Sequence, residues 1–580
     1  MSDRRFWATA GIIWAVVSML LVAVSWTAIA AWRFPDPDDQ MRLLQVRDWL
    51  AGQSWFDVTQ YRLNWPQGVP MHWSRLVDLP IAGVILLLTP FVGTGAAEHV
   101  ALVTVPLVTL GVVLALLGTI ARRMLGDEPA LFAILLAPLC VEVTHQLRPM
   151  RIDHHGWQIA LALAATLALL DTNRRRGGWI AGAAIAAWLA ISLEGLPLAA
   201  AMLALVALCW VANPAEARLM RGTSASLALT SLALFAVTQP LAAWRAPVCD
   251  AVSPPYLAAL AIVALGMTGA TLLPLRHWAA RLSVLALVGV VALAAIPLLT
   301  PACISGPFAQ LDPLVREVWY LRVAEGLPMW RQTPIMILNS MAMPLIGLAG
   351  SVVGWRGAAP GVERSRWATL LFLTACATVA ALLVQRSSAV AAVIAIPGAV
   401  RLIHPALVRA RTIGNVALRT AVTLAILIAA APGLALRPVI ETLWPNPQVE
   451  AVRAAQVCLK ANDMGALRGL PRGNVLAPLD ISPTILLLTP HAAVASGHHR
   501  GSAAMRDVIA AFSGSEATAR EIVARRRIDY VAYCPGLAET VEFNGIAPAG
   551  FFARIDRGEA PTWLTPVAIP NSSVKLWRVN

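Results

Sequence analysis

Apolar runs of membrane-spanning length recur along this chain, and most of them are separated by short Arg-rich turns. A helix crosses the hydrocarbon core with roughly 20 apolar residues, so a chain with many such runs is committed to a helical bundle in a bilayer. The turns fall at Arg122-Arg123, Arg174-Arg175-Arg176, Arg218 to Arg221, Arg276 to Arg281, Arg356 to Arg366 and Arg401 to Arg411, each separated from the next by room for two helices. Cytoplasmic loops carry the excess of basic residues, so all these turns share the cytoplasmic side if the N-terminus does too. This reading gives about 13 crossings, the last near Val416 to Leu434. The run Leu79 to Val92 is short, about 14 residues, and keeps the parity only as an interfacial or re-entrant helix. The first run, Phe6 to Ile29, follows Asp3-Arg4-Arg5 and reads as a retained anchor.

Composition agrees. The 580 residues are 58% hydrophobic and only 13% charged, whereas soluble domains carry about 25% charged residues. A soluble enzyme, a secreted disulfide scaffold and a disordered chain are excluded. The formal charge of +13 sits in short loops rather than along one face, which argues for topology signals and phosphate contacts and against nucleic-acid binding. Lysine occurs only at Lys460 and Lys575 amid abundant Arg and Ala. That bias suggests a GC-rich bacterial genome, hence an inner membrane with a periplasmic active face.

The expected fold is therefore a polytopic α-helical membrane protein with a small C-terminal α/β extracytoplasmic domain. Residues 1–434 form the transmembrane part and 435–580 the domain. Parity brings residues 30–98, 147–156 and 301–332 to the same outer side as the tail. In the tail, Asn474 to Ala477 and Asp529 to Tyr533 read as strands, and Ser502 to Phe512 and Ser515 to Arg526 as helices. Cys140, Cys209 and Cys376 fall inside helices. The other four cysteines lie outside, and two disulfides, Cys249–Cys303 and Cys458–Cys534, are expected.

Three outer clusters can carry chemistry. Asp36-Pro37-Asp38-Asp39 places three carboxylates at a membrane surface, a costly arrangement unless a divalent metal or a basic partner neutralises them. The same residues also make a good helix start, with Asp36 as N-cap and Pro37 at N1 of a helix running from Gln40 to Leu50. The loop Arg151-Ile152-Asp153-His154-His155-Gly156 reads either as solvated surface histidines or as an Asp and a His that reach one ion. Glu325 lies in the long loop within Val323-Ala324-Glu325-Gly326, where a lone Glu is ordinarily just solvated.

Taken with Met41-Arg42, Met71-His72-Trp73-Ser74-Arg75-Leu76-Val77-Asp78 and Ser192-Leu193-Glu194-Gly195, these motifs resemble the catalytic subunit of oligosaccharyltransferase, within the GT-C glycosyltransferases. The resemblance spans roughly residues 6–430. It implies that Asp36 binds metal beside the acceptor, that Asp153 and His155 are the second-loop metal ligands, and that Glu325 faces metal and acceptor. Arg322 replaces the hydroxyl residue that opens the family's external-loop motif. Arg386, in Gln385-Arg386-Ser387-Ser388, corresponds to the family's arginine that holds the lipid-linked phosphate; the alternative is a snorkelling interfacial residue. The family's Trp-Trp-Asp-Tyr-Gly signature is absent, since the chain has no Trp-Trp pair.

The tail offers instead Ala495-Ser496-Gly497-His498-His499-Arg500-Gly501. This Gly-flanked turn ahead of a helix suits an anionic group such as a phosphate or uronate, or is a plain surface turn. His72, Arg75, Arg322, His498, His499 and Arg500 are thus the further candidates for substrate contact.

The resemblance implies transfer of a sugar or glycan from a polyprenyl phosphate or pyrophosphate carrier to an envelope glycan, lipid or protein. A divalent ion, magnesium or manganese, would assist. The rival from another class is a transporter or flippase of a lipid-linked glycan, although its charges would be expected at the bilayer midplane.

Overall fold

A computed structural model describes residues 1–308, 310–444 and 461–580. Although fewer of them reach membrane-spanning length among the described residues than the roughly 13 crossings expected, helices form over the apolar runs. They are α1 (Asp3–Ala30), α2 (Pro37–Leu50), α3 (Asp78–Val92), α4 (Thr94–Leu125), α5 (Asp127–Leu136), α6 (Val141–Leu147), α7 (His155–Leu169), α8 (Arg174–Ile191) and α9 (Leu196–Ala212). There follow α10 (Ala217–Thr238), α11 (Pro254–Ala270), α12 (Trp278–Leu299), the short α13 (Pro313–Val318), α14 (Pro334–Gly357), α15 (Val362–Leu383), α16 (Ser388–Arg411), α17 (Val416–Ala430) and α18 (Pro432–Leu443). Among the described residues, eight helices are long and apolar enough to cross a membrane, or ten if each of two bent pairs is one span. The shorter apolar helices are α3, α7 and α11.

Lipid tails are as apolar as leucine, so helices in a membrane are held by close approach and polar contacts more than by hydrophobicity. Two helix pairs show it. A Cβ on Gly182 of α8 would come within 2.3 Å of the Thr223 carbonyl on α10, and one on Gly350 of α14 within 1.8 Å of the Gly398 carbonyl on α16. Only glycine permits these backbones to meet.

Polar contacts sort the loops into two ends. At one end, the N-terminal amine pairs with Asp127, Arg122 with Asp3, and Arg174 with Glu216. Arg366 reaches the carbonyls of Leu170 and Arg123 there. These are Arg-rich turns gathered on one side, as charge parity predicts. At the other end lie the three long segments and the C-terminal domain.

That domain has a five-stranded sheet ordered β4-β3-β5-β7-β6, from β3 (Asn474–Leu476), β4 (Ala492–Ala493), β5 (Tyr530–Tyr533), β6 (Leu564–Pro566) and β7 (Lys575–Val579). β4, β3 and β5 run parallel, whereas β7 is antiparallel to both β5 and β6. Helices Ser502–Ser513 and Glu516–Arg525 follow β4, close to their predicted bounds. The first long segment contributes a two-residue hairpin, β1 (Thr59–Gln60) with β2 (Val69–Pro70), and its Leu63 bridges to Ala493 at the sheet edge. Arg62 donates to the Thr489 carbonyl at 2.8 Å, Thr484 to Gln40 at 2.9 Å and Arg526 to Asn64 at 2.7 Å. One apolar core runs unbroken from Met41, Leu43 and Ile81 to Val475, Ile485 and Ala532. The domain is thereby seated on α2 and the hairpin, and it roofs the space above the bundle.

Of the two expected disulfides, Cys249–Cys303 is formed, tying the segment after α10 to the segment after α12. The Cys458–Cys534 pairing involves Cys458, which lies outside the described residues. Cys140, Cys209 and Cys376 are free. The Cys249–Cys303 bridge spans 54 positions, and in the chain-entropy treatment a loop of that size is worth about 4 kcal/mol. Replacing both cysteines with serine is expected to lower resistance to denaturant in detergent to the level of the reduced wild type; equal stability of all three forms would mean that the bridge constrains nothing.

Candidate functional site

The site grows from the start of α2. Asp36 has an extended backbone and caps the helix, its Oδ1 accepting from the Asp38 N–H at 2.9 Å, with Pro37 at N1. The helix-start reading of the acidic cluster is therefore correct, and it coexists with a second use of the same carboxylates. Asp39 is fully buried and accepts from the backbone N–H groups of Ile152 and Asp153 at 2.8 and 3.0 Å. This pins the second loop beneath the first.

Arg151 then enters the middle of the carboxylates. Its NH1 lies 3.1 Å from Asp39 and 3.2 Å from Asp36, its NH2 is 2.8 Å from Asp153, and its Nε donates to Gln146 at 3.0 Å. Met150, just before it, holds φ at 72°, a left-handed conformation that a non-glycine residue adopts at a cost of about 1 kcal/mol or more. The turn this makes lets Arg151 point back at α2. Of the two neutralisers that the carboxylates demand, metal or basic partner, the basic partner is present.

The electrostatics follow from this crowding. Burial holds the Asp36 carboxyl above its ordinary range against the pull of Arg151, and Asp38 and Glu325 add repulsion. Burial also presses on Asp153, but the charges of Arg151 and His155 outweigh it and keep the group well below the usual carboxylate range. Asp38 is brought down to about 2 despite its burial, chiefly by the His498 imidazole, whose Nε2 is 3.4 Å away.

From Asp153 a chain of alternating charge runs across the mouth of the bundle. His155 Nδ1 donates to Asp153 Oδ2 at 2.7 Å, and the His154 and His155 rings stack with centroids 4.4 Å apart. Both imidazoles approach Glu194, with Nε2 of each 3.7 to 3.8 Å from its Oε2. Glu194 follows Ser192, whose hydroxyl caps the turn into α9, and it accepts from Gln158 at 2.9 Å. Arg386, at the entry of α16, forms an ion pair with Glu194 and a second, at 3.0 Å, with Glu325. A pocket beside this network is lined by Gln146, His155, Gln158, Trp188, Glu194 and Arg386.

The sequence-derived candidates distribute unevenly. Asp36, Asp153, His155, Arg386 and Glu325 all join one network, Asp36 through Arg151 and Glu325 through Arg386. As a metal set, Asp36, Asp153 and His155 do not converge. The group in this network whose donor atoms lie within 4.8 Å of one another is Asp153, His154 and His155, all buried. His154 Nδ1 and His155 Nε2 are buried without a hydrogen-bond partner. Those three residues fit a divalent ion, although Asp153 Oδ2 is shared with the Arg151 guanidinium and with His155.

Arg75 is 1% exposed and spends its donors on the carbonyls of Gln45, Trp55 and Asp57 and on Asp78. It braces the first segment and faces no substrate, a correction forced by its burial. Arg322 pairs with Glu542 of the C-terminal domain. His498 is committed to Ser496 and Asp38, and His499 and Arg500 to Asp250. The His72 ring lies against that of His499, tilted by 49° at 4.6 Å between centroids.

Three participants received no role from the sequence: Arg151, His154 and Glu194. The signal for Glu194 was a lone carboxylate at the start of an apolar span, which is costly unless functional or paired. Asp480, on the exposed turn after β3 and outside the network, has its pKa pushed up to about 6 by desolvation beneath the neighbouring segments and by the charges of Asp36, Asp38 and Glu542. A carboxyl whose pKa is raised from 3.8 makes the fold less stable as pH rises through that interval, and the full cost persists above it. Asp480→Asn is expected to raise thermal stability at pH 8 and to leave it unchanged near pH 4; equal stability of variant and wild type at both pH values would show that Asp480 does not feel this field.

No family model matches the chain, and no curated protein matches it. Solved structures do. Oligosaccharyltransferase AglB from Archaeoglobus fulgidus, in complex with an inhibitory peptide and a dolichol-phosphate, superposes with a TM-score of 0.66 at 15% identity, covering 94% of this chain and 72% of that one. The Archaeoglobus fulgidus oligosaccharyltransferase tethered to an acceptor peptide containing the NVT sequon gives 0.65 at 13%, with the same coverage. Its complex with Zn and sulfate gives 0.60 at 12%, covering 92% and 70%. The fold is the one that the sequence motifs predicted.

Proposed function

We propose that this chain is a membrane glycosyltransferase that moves a sugar or glycan from a polyprenyl phosphate or pyrophosphate carrier to an acceptor on the face roofed by the C-terminal domain. One observation carries the reading: Asp36, Arg151, Asp153, His155, Glu194, Arg386 and Glu325 form a continuous alternating network at the mouth of a helical bundle. Such density of charge is expensive at a membrane surface and is kept where a charged group must be received.

In this reading Arg386 receives the carrier phosphate in the pocket it shares with Gln158 and Trp188, pre-oriented by Glu194 and Glu325. Asp36, with its proton affinity raised, takes the proton from the acceptor nucleophile. The acceptor attacks the anomeric carbon with inversion, the bond from that carbon to the phosphate oxygen breaks, and the electron pair leaves on the phosphate. Arg386 stabilises the charge that develops there.

Asp153, His154 and His155 would hold a divalent ion, which supplies Lewis-acid stabilisation of the leaving group when bound. Two imidazoles and a carboxylate suit manganese or zinc better than magnesium. The solved neighbours crystallised with zinc and with dolichol-phosphate support both halves of this assignment. The absent Trp-Trp-Asp-Tyr-Gly signature argues for an acceptor other than the protein sequon bound by one of them. By charge parity, the active face is the periplasmic face of a bacterial inner membrane.

Mass spectrometry of polyprenyl-linked sugars in cells lacking the protein tests the reading. One unused lipid-linked donor is expected to accumulate in the null strain and in the strain complemented with Asp36→Asn, and to be cleared by the wild type. A wild-type lipid profile with Asp36→Asn would remove Asp36 from catalysis.

A further inference from the structure

A second cluster lies apart from this network, where three segments remote in sequence meet. His72 comes from the loop after β2, Asp250 follows the disulfide-bonded Cys249, and His499 stands in the turn before the helix Ser502–Ser513. One donor atom from each lies within 4.8 Å of the other two. His499 Nε2 is 2.6 Å from Asp250 Oδ2, and the His72 and His499 rings are 4.6 Å apart between centroids.

Arg500 holds the same carboxylate, its Nε donating to Oδ2 at 2.7 Å and its NH2 to Oδ1 at 2.9 Å. Its remaining nitrogen, NH1, donates to the Met71 carbonyl at 3.1 Å. The carboxylate is thus fixed in orientation by a group that cannot itself ligate a metal. Two imidazoles gathered around an oriented carboxylate are the donor set of divalent transition ions, and outer contacts that fix a ligating carboxylate accompany such sites. His72 and Asp250 also line a cavity with Ser192, Gln239 and His154, while His499 closes the cluster from the C-terminal domain. An ion-pair latch alone needs only Asp250, His499 and Arg500 and leaves the placement of His72 without a purpose.

We propose that His72, Asp250 and His499 form a three-ligand site for a divalent transition-metal ion of the zinc class, oriented by Arg500. The ion would join the first long segment, the disulfide-bonded loop and the C-terminal domain. The site is distinct from the Asp153–His154–His155 group and does not depend on the transfer chemistry.

Metal content separates the two sites. Full-length protein in detergent is stripped with chelator, loaded with zinc, desalted and measured by elemental mass spectrometry, in the wild type and in an Asp153→Asn, His155→Gln background. His72→Ala or His499→Gln is expected to remove one zinc per chain in both backgrounds. Cobalt loaded into the Asp153→Asn, His155→Gln protein is expected to show visible ligand-field bands that vanish with His72→Ala. Unchanged zinc content in monodisperse His72→Ala protein overturns the proposal. Should His72→Ala not fold, His72→Cys keeps a ligand at that position; it is expected to retain zinc and to give a cobalt–thiolate charge-transfer band, and the absence of both overturns the proposal equally.

Discussion

Arg151→Ala is expected to destabilise the protein by about 3–5 kcal/mol, the cost of leaving buried charges without their partner. The guanidinium is 3% exposed as a residue and touches Asp36, Asp39 and Asp153 at once. Its removal leaves three carboxylates facing one another across the junction of the two loops. Denaturant titration in mixed micelles measures the loss. Arg151→Lys keeps the charge but offers a single ammonium in place of a planar fork, so it is expected to fall between the two. Adding Asp39→Asn to Arg151→Ala is expected to recover part of the stability, because it removes a carboxyl that burial already pushes up to about 8. Full stability of Arg151→Ala would show that water or an ion already serves these carboxylates.

Arg386→Ala is expected to lower kcat/KM for the lipid-linked donor by about 100- to 1000-fold, the range found when a preorganised donor to a developing anion is removed. Two effects add. The cation proposed to meet the phosphate is lost, and Glu194 and Glu325, both paired with Arg386 in the resting structure, turn their charge toward the pocket. Arg386→Lys retains the charge without bidentate geometry and is expected to recover part of the rate. Comparable kinetics of Arg386→Ala and wild type with the donor would return Arg386 to a snorkelling role.

The membrane architecture was legible because its signals are local. Apolar length sets the helices, and the Arg-rich turns sort the ends. The Arg366 contacts to Leu170 and Arg123 show that sorting in the fold. The Cys249–Cys303 bridge was suggested by sidedness together with the place of both cysteines in successive outer loops. The Asp36 cap was equally legible, since Asp-Pro-Asp-Asp states its own helix start.

Tertiary convergence was not legible. Arg151 meets Asp39 across 112 positions, and nothing in either loop records which partner neutralises the acidic cluster. His154 takes the place of Asp36 in the metal-fitting group, its donor atom lying within 4.8 Å of those of Asp153 and His155. Arg75 read as a substrate contact because its motif lies in an outer loop, yet the loop folds inward over it. In the tail, the two longest stretches of strand character that precede helices were seen, whereas β4, at two residues, is too short to carry a pattern. The domain's seat on the first segment rests on pairs such as Arg526 with Asn64, 462 positions apart.

The central claim is bond cleavage, and it is tested most directly with purified protein in proteoliposomes containing the lipid-linked donor that accumulates in the null strain. Mass spectrometry of the extracted lipid distinguishes a free polyprenyl phosphate or pyrophosphate carrier from intact donor, and Asp36→Asn serves as the control. Release of the glycan-free carrier by the wild type, absent with Asp36→Asn, is the expected result. Donor that crosses the bilayer with its glycosidic bond intact, at equal rates for both proteins, would contradict it and make the chain a carrier of lipid-linked glycan.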